Sequence, residues 1–159
     1  MTAQFNSLVT STCSSPLAAA PVSSTLTMTD HVISIVFSSD VVANAKGDAS
    51  TSNRTWLVHV VDIELASPTR RSFVLELQTA LQAVQGTASV RLTTAGQTTS
   101  REVTAKDSPR ELDGTLRLRI PRSTKPKTHL RVLVEVTAQT LNAAGEAMAG
   151  ADVLDVRAA

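Results

Sequence analysis

The sequence predicts a mainly β protein, an antiparallel two-sheet β-sandwich of about seven to eight strands. The first observation is strict alternation: apolar side chains occupy every second position of residues 116–120 and 130–136, with charged residues between most of them. Such a period of two indicates strands with one buried face. The second observation is a turn signal every 8–12 residues, which is typical of sandwiches. Jelly-roll and immunoglobulin-like strand orders both fit.

The chain divides into an N-terminal arm, residues 1–29, and a single sandwich domain, residues 30–159. A length of 159 residues suits one domain with a substantial core. The arm is rich in Ser, Thr and Ala, carries Pro16 and Pro21, and shows no sustained helical or strand period. Two placements stay open: the arm packs against a neighbouring subunit, or it lies on its own domain.

Two strands are predicted in the first half of the domain. In residues 31–37, Ile33, Ile35 and Phe37 share one face, and the strand can extend through Val41 and Val42. After a polar loop, residues 56–65 form a nearly continuous apolar run. That run indicates a central strand buried on both sides over its first half.

The segment 67–86 fits two structures. Ser67 as N-cap, Pro68 at the first helical position and Gly86 as a stop favour a helix. The pair Arg70 and Arg71 at the positive end of the helix dipole argues against it. We favour a strand over residues 72–78 followed by a short helical or irregular piece, which leaves one short helix within 68–85 open.

The second half of the domain predicts a hairpin and a closing strand. Residues 87–93 and 98–105 flank the turn sequence of residues 94–97 and form the hairpin. Residues 107–114 are a polar link, and the two alternating strands follow. The last strand covers residues 152–157.

Composition excludes several classes of protein. A net charge of +1 excludes a globally basic nucleic-acid binder, and one Trp, three Phe and no Tyr argue against a stacking platform. Cys13 is the only cysteine, which excludes an intramolecular disulfide. No run of 18 apolar residues indicates a membrane span, and the uncharged N-terminus lacks the features of a secretory signal. We therefore expect an unprocessed N-terminus and a location in a virion or the cytoplasm.

No catalytic or metal-binding pattern has specific spacing. The glycines sit at turns, and His31, His59 and His129 are far apart in sequence. Asp62 and Glu64 are a carboxylate pair at strand spacing, so both point to one face. A divalent-cation site or an acid–base pair would use such a pair. We favour the solvent face at the end of a strand, where cross-strand ion pairs with Arg117 and Arg119 are a further explanation. We expect no enzyme activity, catalytic residue, metal, cofactor or small-molecule substrate.

The one concentrated charge feature is a basic run without Asp or Glu from residue 117 to residue 131. On one strand face, alternate arginines lie about 6.5–7 Å apart, close to the phosphate spacing of a nucleic-acid strand. A solvated face that blocks edge pairing explains the same residues. The nucleic-acid or anion contacts predicted on the first interpretation are Arg117, Arg119, Arg122, Lys125, Lys127 and Arg131.

These observations favour a non-enzymatic structural protein, a self-assembling subunit such as a virion coat, decoration or filament protein. Its partners would be copies of itself, with nucleic acid as a further partner through the basic run. The alternative is an immunoglobulin- or fibronectin-like protein-binding module. The step from sandwich to assembly subunit is an analogy at the level of fold.

Overall fold

The computed structural model shows two antiparallel sheets packed face to face, which confirms the predicted β-sandwich. It describes residues 4–14, 24–28, 32–37, 41–47, 53–66, 72–121 and 127–158. Within these ranges all regular elements are strands, more than the seven to eight expected. They are β1 Gln4–Ser14, β2 Ser24–Met28, β3 Val32–Phe37, β4 Val42–Lys46, β5 Arg54–Ala66, β6 Phe73–Val84, β7 Gly86–Thr94, β8 Gln97–Ala105, β9 Arg110–Ile120, β10 Lys127–Thr140 and β11 Glu146–Ala158.

The strand order is dominated by pairings between segments distant in sequence. The five-stranded sheet has the order β1-β5-β10-β7-β8, and the six-stranded sheet has the order β2-β3-β11-β6-β9 with β4 also paired to β11. Since β6 occupies one edge of β11 along its length, β3 and β4 follow each other along the opposite edge. Over the described ranges, no helix has the length and hydropathy that a membrane span requires.

The core lies between the sheets and is built from alternate positions of nearly every strand whose side chains are described. Leu116, Leu118 and Ile120 of β9 are buried, as are Leu130 and Val132 of β10, as the alternation predicts. The side chains of the core are almost entirely aliphatic. Its largest fully buried side chains are Ile33, Ile35, Ile63, Leu75, Leu77, Leu81, Leu92, Leu154, His59, Val41 and Val61.

The segment around 67–86 is a strand where it is described. β6 runs to Val84, so the predicted strand is right and the short helical piece after residue 78 does not form. Leu81 and Ala83 are buried by strand alternation, in register with Ala149 and Ala147 of β11. Pairing along both edges of β6 therefore outweighs the local helical period. Residues 67–71 lie outside the described part.

Two strands come from the N-terminal arm. β1 pairs with β5 of the same chain, and β2 pairs with β3, so each forms one edge of a sheet. β9 also begins earlier than predicted: Arg110 to Gly114, read as a polar link, already pair with β6. The predicted hairpin is present, and its two-residue turn, Ala95 and Gly96, has the positive φ values that such turns require.

At one end of the sandwich, main-chain segments pack too closely for side chains. The chain passes from β6 to β7 through one residue, Gln85, whose φ is 44° and whose carbonyl accepts a hydrogen bond from the Leu141 N–H at 2.8 Å. The Gly47 N–H donates to the Gly145 carbonyl at 2.8 Å. A Cβ at Gly145 would collide with the Gln85 carbonyl, and one at Gly47 would lie 2.7 Å from the Ala143 carbonyl. We call this the glycine junction (Gly47, Gln85, Gly145 and residues 141–144).

We predict that Gly47→Ala and Gly145→Ala each lower the free energy of unfolding by about 1–3 kcal/mol, because backbone atoms rather than flexible side chains would have to move. Gly150→Ala is the matched control, since its nearest neighbour would be Val42 Cγ2 at 3.4 Å, an ordinary contact. That variant should stay within about 1 kcal/mol of the native chain. Urea denaturation measures all three, and equal effects at the three sites would contradict the junction.

Candidate functional site

The structure divides the predicted basic run between the two sheets. Arg117 and Arg119 project from β9 on the outer face of the six-stranded sheet, whereas Arg131 projects from β10 on the outer face of the five-stranded sheet. Arg122 and Lys125 lie outside the described residues, and Lys127 is the first residue of β10. Arg117 and Arg119 therefore share no surface with Arg131, and nucleic-acid contact by these residues stays a prediction.

Arg117 belongs to a ladder of charged and polar side chains across the six-stranded sheet. Glu76 of β6 lies between Arg117, at 2.6 Å, and Arg157, at 3.2 Å. Arg157 also contacts Asp155 at 3.0 Å, and Asp155 accepts a hydrogen bond from the Ser34 hydroxyl at 2.5 Å. We call these five residues, contributed by four strands, the charge ladder. Its two carboxylates have little exposed surface, 17% and 14%, whereas the side chains of Arg117 and Arg157 are 74% and 49% exposed.

Asp62 pairs with Arg131, so the predicted pairing of the carboxylates with Arg117 and Arg119 is wrong. Arg131 Nε donates to Asp62 Oδ1 at 2.8 Å and its Nη2 donates to Oδ2 at 3.1 Å, a two-point contact. The two residues face each other across β5 and β10. Hydrogen bonding from Arg131 lowers the pKa of the Asp62 carboxyl, and the same contact raises the pKa of Arg131. The side chain of Glu64 lies outside the described part.

The outer face of the five-stranded sheet carries a row of half-buried apolar side chains. Trp56, Val58 and Val60 alternate along β5 and point away from the core, and Leu133 of β10 lies directly opposite Val60. We call these four residues the apolar strip. Asp62 and Arg131 flank one end, and Arg91 with Glu135, 3.7 Å apart, lie beside it on β7 and β10. In the sequence, this feature corresponds to the continuous apolar run 56–65. That run predicted a strand buried on both sides by the protein's own chain.

His59 is fully buried between the sheets on β5, in contact with Phe37. The two rings are edge to face with centroids 4.9 Å apart, and neither ring nitrogen has a hydrogen-bond partner among the side chains that the structure describes. Burial in this aliphatic surrounding lowers the pKa of His59 to about 4, so the imidazole is neutral near pH 7. The strands whose side chains are not described, β1 and β2, contain no Asp, Glu, Lys, Arg or His, so they add no charge here.

No grouping of three or more His, Cys, Asp or Glu side chains capable of holding a metal occurs among the residues that the structure describes. His59 faces the core, His129 is exposed on β10, and His31 lies outside the described ranges. Cys13 pairs in register with Val58 through the β1–β5 ladder. The described histidines therefore do not converge.

Comparison with known proteins adds no family to this geometry. No protein-family model matches the chain, and no curated protein is significantly similar to it. Among solved structures, the chain is similar to part of the GH31 alpha-xylosidase from Xanthomonas citri, with 9% sequence identity and a TM-score of 0.23. That likeness covers 82% of this chain and 20% of the xylosidase, so the chain spans about a fifth of that enzyme's length. A TM-score this low carries no argument about function.

We predict that Arg131→Gln raises the pKa of the Asp62 carboxyl towards its ordinary range, because the two charge-assisted hydrogen bonds are lost. Carboxyl-carbon NMR titration of Asp62 measures this. Arg117→Gln is the matched control, since Arg117 lies on the other sheet and should leave Asp62 unchanged. If Asp62 of the native chain already titrates like an aspartate in a short peptide, the two-point contact does not exist in solution.

A second prediction concerns acid stability. The folded chain holds His59 at a pKa of about 4 against an ordinary 6.5, so the unfolded chain takes up its proton first. The contribution of His59 is fully present above about pH 6.5 and is lost as the pH falls towards 4. It amounts to about 3 kcal/mol at most.

Urea denaturation of the native chain and of His59→Leu, each at several pH values, tests this. The variant removes two unpaired buried nitrogens, so its unfolding free energy should exceed that of the native chain by a margin that grows between pH 6.5 and pH 4. A constant difference between native chain and His59→Leu across the pH range would refute the assignment.

Proposed function

We propose that the protein is a non-enzymatic structural subunit that assembles with copies of itself through the apolar strip of the five-stranded sheet. The apolar strip is the observation that carries the proposal. The outer face of a solvated antiparallel sheet is normally polar, whereas Trp56, Val58, Val60 and Leu133 place apolar surface at its centre. A half-buried aromatic residue among branched aliphatic neighbours is the composition of an interface centre.

The strip is also rigid. β5 is hydrogen-bonded to β1 and β10, and β10 is hydrogen-bonded to β5 and β7, so neither strand is an edge of its sheet. The backbone that carries its side chains is therefore in place before a partner arrives, and little backbone entropy is lost when one docks. A surface of this kind favours association of two preformed faces over addition of a strand to an edge.

The charges around the strip suit a second copy of the same face. Both signs occur twice beside the strip: Asp62 with Arg131 lie at one end, and Glu135, paired with Arg91, lies directly opposite Val58 in the middle. In a two-fold arrangement with antiparallel strips, the first pair of one copy meets the second pair of the other. Carboxylates and guanidinium groups can then face each other across the interface, which gives orientation more than affinity. A virion coat, a decoration protein and a filament subunit are all assemblies of this general class.

Sedimentation velocity at increasing protein concentration tests the assembly. The native chain should form a discrete oligomer, and Val60→Thr/Leu133→Thr should shift it to monomer, since threonine keeps strand propensity while removing apolar contact. Val74→Thr on the outer face of the six-stranded sheet is the matched control and should leave the oligomer intact. Far-UV circular dichroism establishes that each variant is folded. A native chain that stays monomeric at high concentration, or an oligomer unchanged in the folded double variant, contradicts the proposal.

A further inference from the structure

The edges of the two sheets differ in how well they are protected against pairing with another strand. An edge strand carries a row of main-chain N–H and C=O groups, which proteins usually guard with charged side chains, proline or a short strand. β8 contains Arg101 and Glu102, and β9 contains Arg110, Glu111, Asp113, Arg117 and Arg119. β2 and β4 are each 5 residues long. Each of these four strands therefore discourages the addition of another strand.

In the described part of the chain, β1 is the outermost strand at the other end of the five-stranded sheet, and it has none of these features. Its 11 residues include no Asp, Glu, Lys, Arg or Pro. The register with β5 shifts once, between Phe5 and Leu8, and is continuous from Leu8 to Ser14. β1 therefore presents a regular, uncharged main-chain edge, to which an extended segment can add as a further strand.

A second copy of β1 is the segment that matches this edge. A two-fold rotation about an axis normal to the sheet places the two β1 strands side by side and antiparallel, the more stable of the two pairings. Because β1 carries no charge, no register of that pairing brings like charges together. A charged partner strand would gain nothing here, since β1 has no opposite charge to offer it.

The same rotation keeps the outer faces of the two five-stranded sheets on one side. β1 borders β5, so the two β5 strands would lie about 14 Å apart, with both β1 strands between them. The apolar strips of the two copies then face in the same direction on one continuous sheet. Such a pair of strips can dock on a second pair, and each docking contact raises the effective concentration of the other.

We propose that β1 pairs antiparallel with β1 of a second copy, and that this edge contact joins the dimers formed through the apolar strip into a larger assembly. The inference rests on the proposed function, because a lone strand pairing is marginal in water and needs the strip to supply apolar burial. The strip makes the dimer, and the edge contact extends it. The N-terminal arm then serves two purposes: one edge of β1 pairs with β5 of its own chain, and the other edge meets the neighbouring copy.

A single-cysteine scan of residues 8–14 locates the contact, with Cys13→Ser as the background and the native Cys13 as one point of the scan. In two-fold antiparallel pairing, the Cα of a residue on the axis lies about 4.5–5.5 Å from its own copy, within disulfide range. A cysteine two positions away lies about 14 Å from its copy. The yield of disulfide-linked dimer should therefore peak at one or two neighbouring positions. Ser100→Cys in the same background, at an exposed position of the edge strand β8, is the matched control and should give no such product.

Ser11→Lys tests what the contact does. Position 11 is in register with Val60, so the substitution falls on the outer-face positions of β1 and leaves the core positions unchanged. It brings lysines of both copies close together at the edge, where a charge is the usual protection against pairing. In sedimentation velocity the native chain should contain more than two copies, and Ser11→Lys should stop at two. Ser100→Lys on β8 is the matched control and should keep the native size.

The outcomes separate the edge contact from the strip. A flat or absent disulfide profile, a native chain of only two copies, or a folded Ser11→Lys chain of native size would overturn the edge contact and leave the strip standing. A monomeric Ser11→Lys chain would also count against it, since the strip dimer should survive loss of the edge contact. A monomeric native chain would instead overturn the proposed function, and the larger assembly with it. Circular dichroism identifies an unfolded variant, in which case the cysteine scan, with its smaller substitutions, decides.

Discussion

The close approach of backbone at the glycine junction is the constraint on which the rest of the sandwich depends. Here β6 of one sheet becomes β7 of the other through Gln85 alone, and the turn from β10 to β11 crosses between the same sheets beside it. The junction therefore fixes, for the central strands of both sheets at once, which side chains face the core. Because side chains alternate, a slip of one residue would turn an entire apolar set outwards. Because positions 47 and 145 are glycine, these segments can come close enough to fix which side chains face the core.

The sequence predicts the parts of the fold that depend on one strand at a time. Alternation from Leu116 to Val136 marks core positions without any knowledge of the partner strand, and the turn at Ala95 and Gly96 is a local signal. β6 is different: Phe73, Leu77 and Leu81 satisfy both a period of two and a helical face. Only the pairing with β9 and β11, strands far along the chain, decides between them. Most neighbouring strands here are distant in sequence, so strand order lies beyond what local patterns contain.

The surroundings of a charged residue are harder to predict from sequence than those of an apolar residue. The partners of a charged side chain depend on which sheet its strand joins. Arg117 and Arg131 belong to one basic run, yet the crossing between β9 and β10 sends them to opposite faces. The partner of Arg117 is Glu76, and the partner of Asp62 is Arg131; neither pair is suggested by spacing. Half-burial of Trp56 is likewise invisible in a continuous apolar run. Once the register of the strands is known, the sequence does give the composition of each sheet face.

The two outer faces differ in how much it costs to remove them from water. Covering the charge ladder would desolvate Glu76, Asp155 and two arginines, a cost that direct ion pairing in an interface often fails to offset. Covering the apolar strip instead releases water from Trp56 and its neighbours and leaves the flanking charges at a wet rim. The proposed association through the strip would use one face of each copy and leave the other hydrated. With a two-fold interface of that kind, the proposed assembly would close after two copies unless a second contact extended it. The outer strands β1, β8, β2 and β9 are the sheet edges in the described part of the chain, and their main-chain groups could make such a contact.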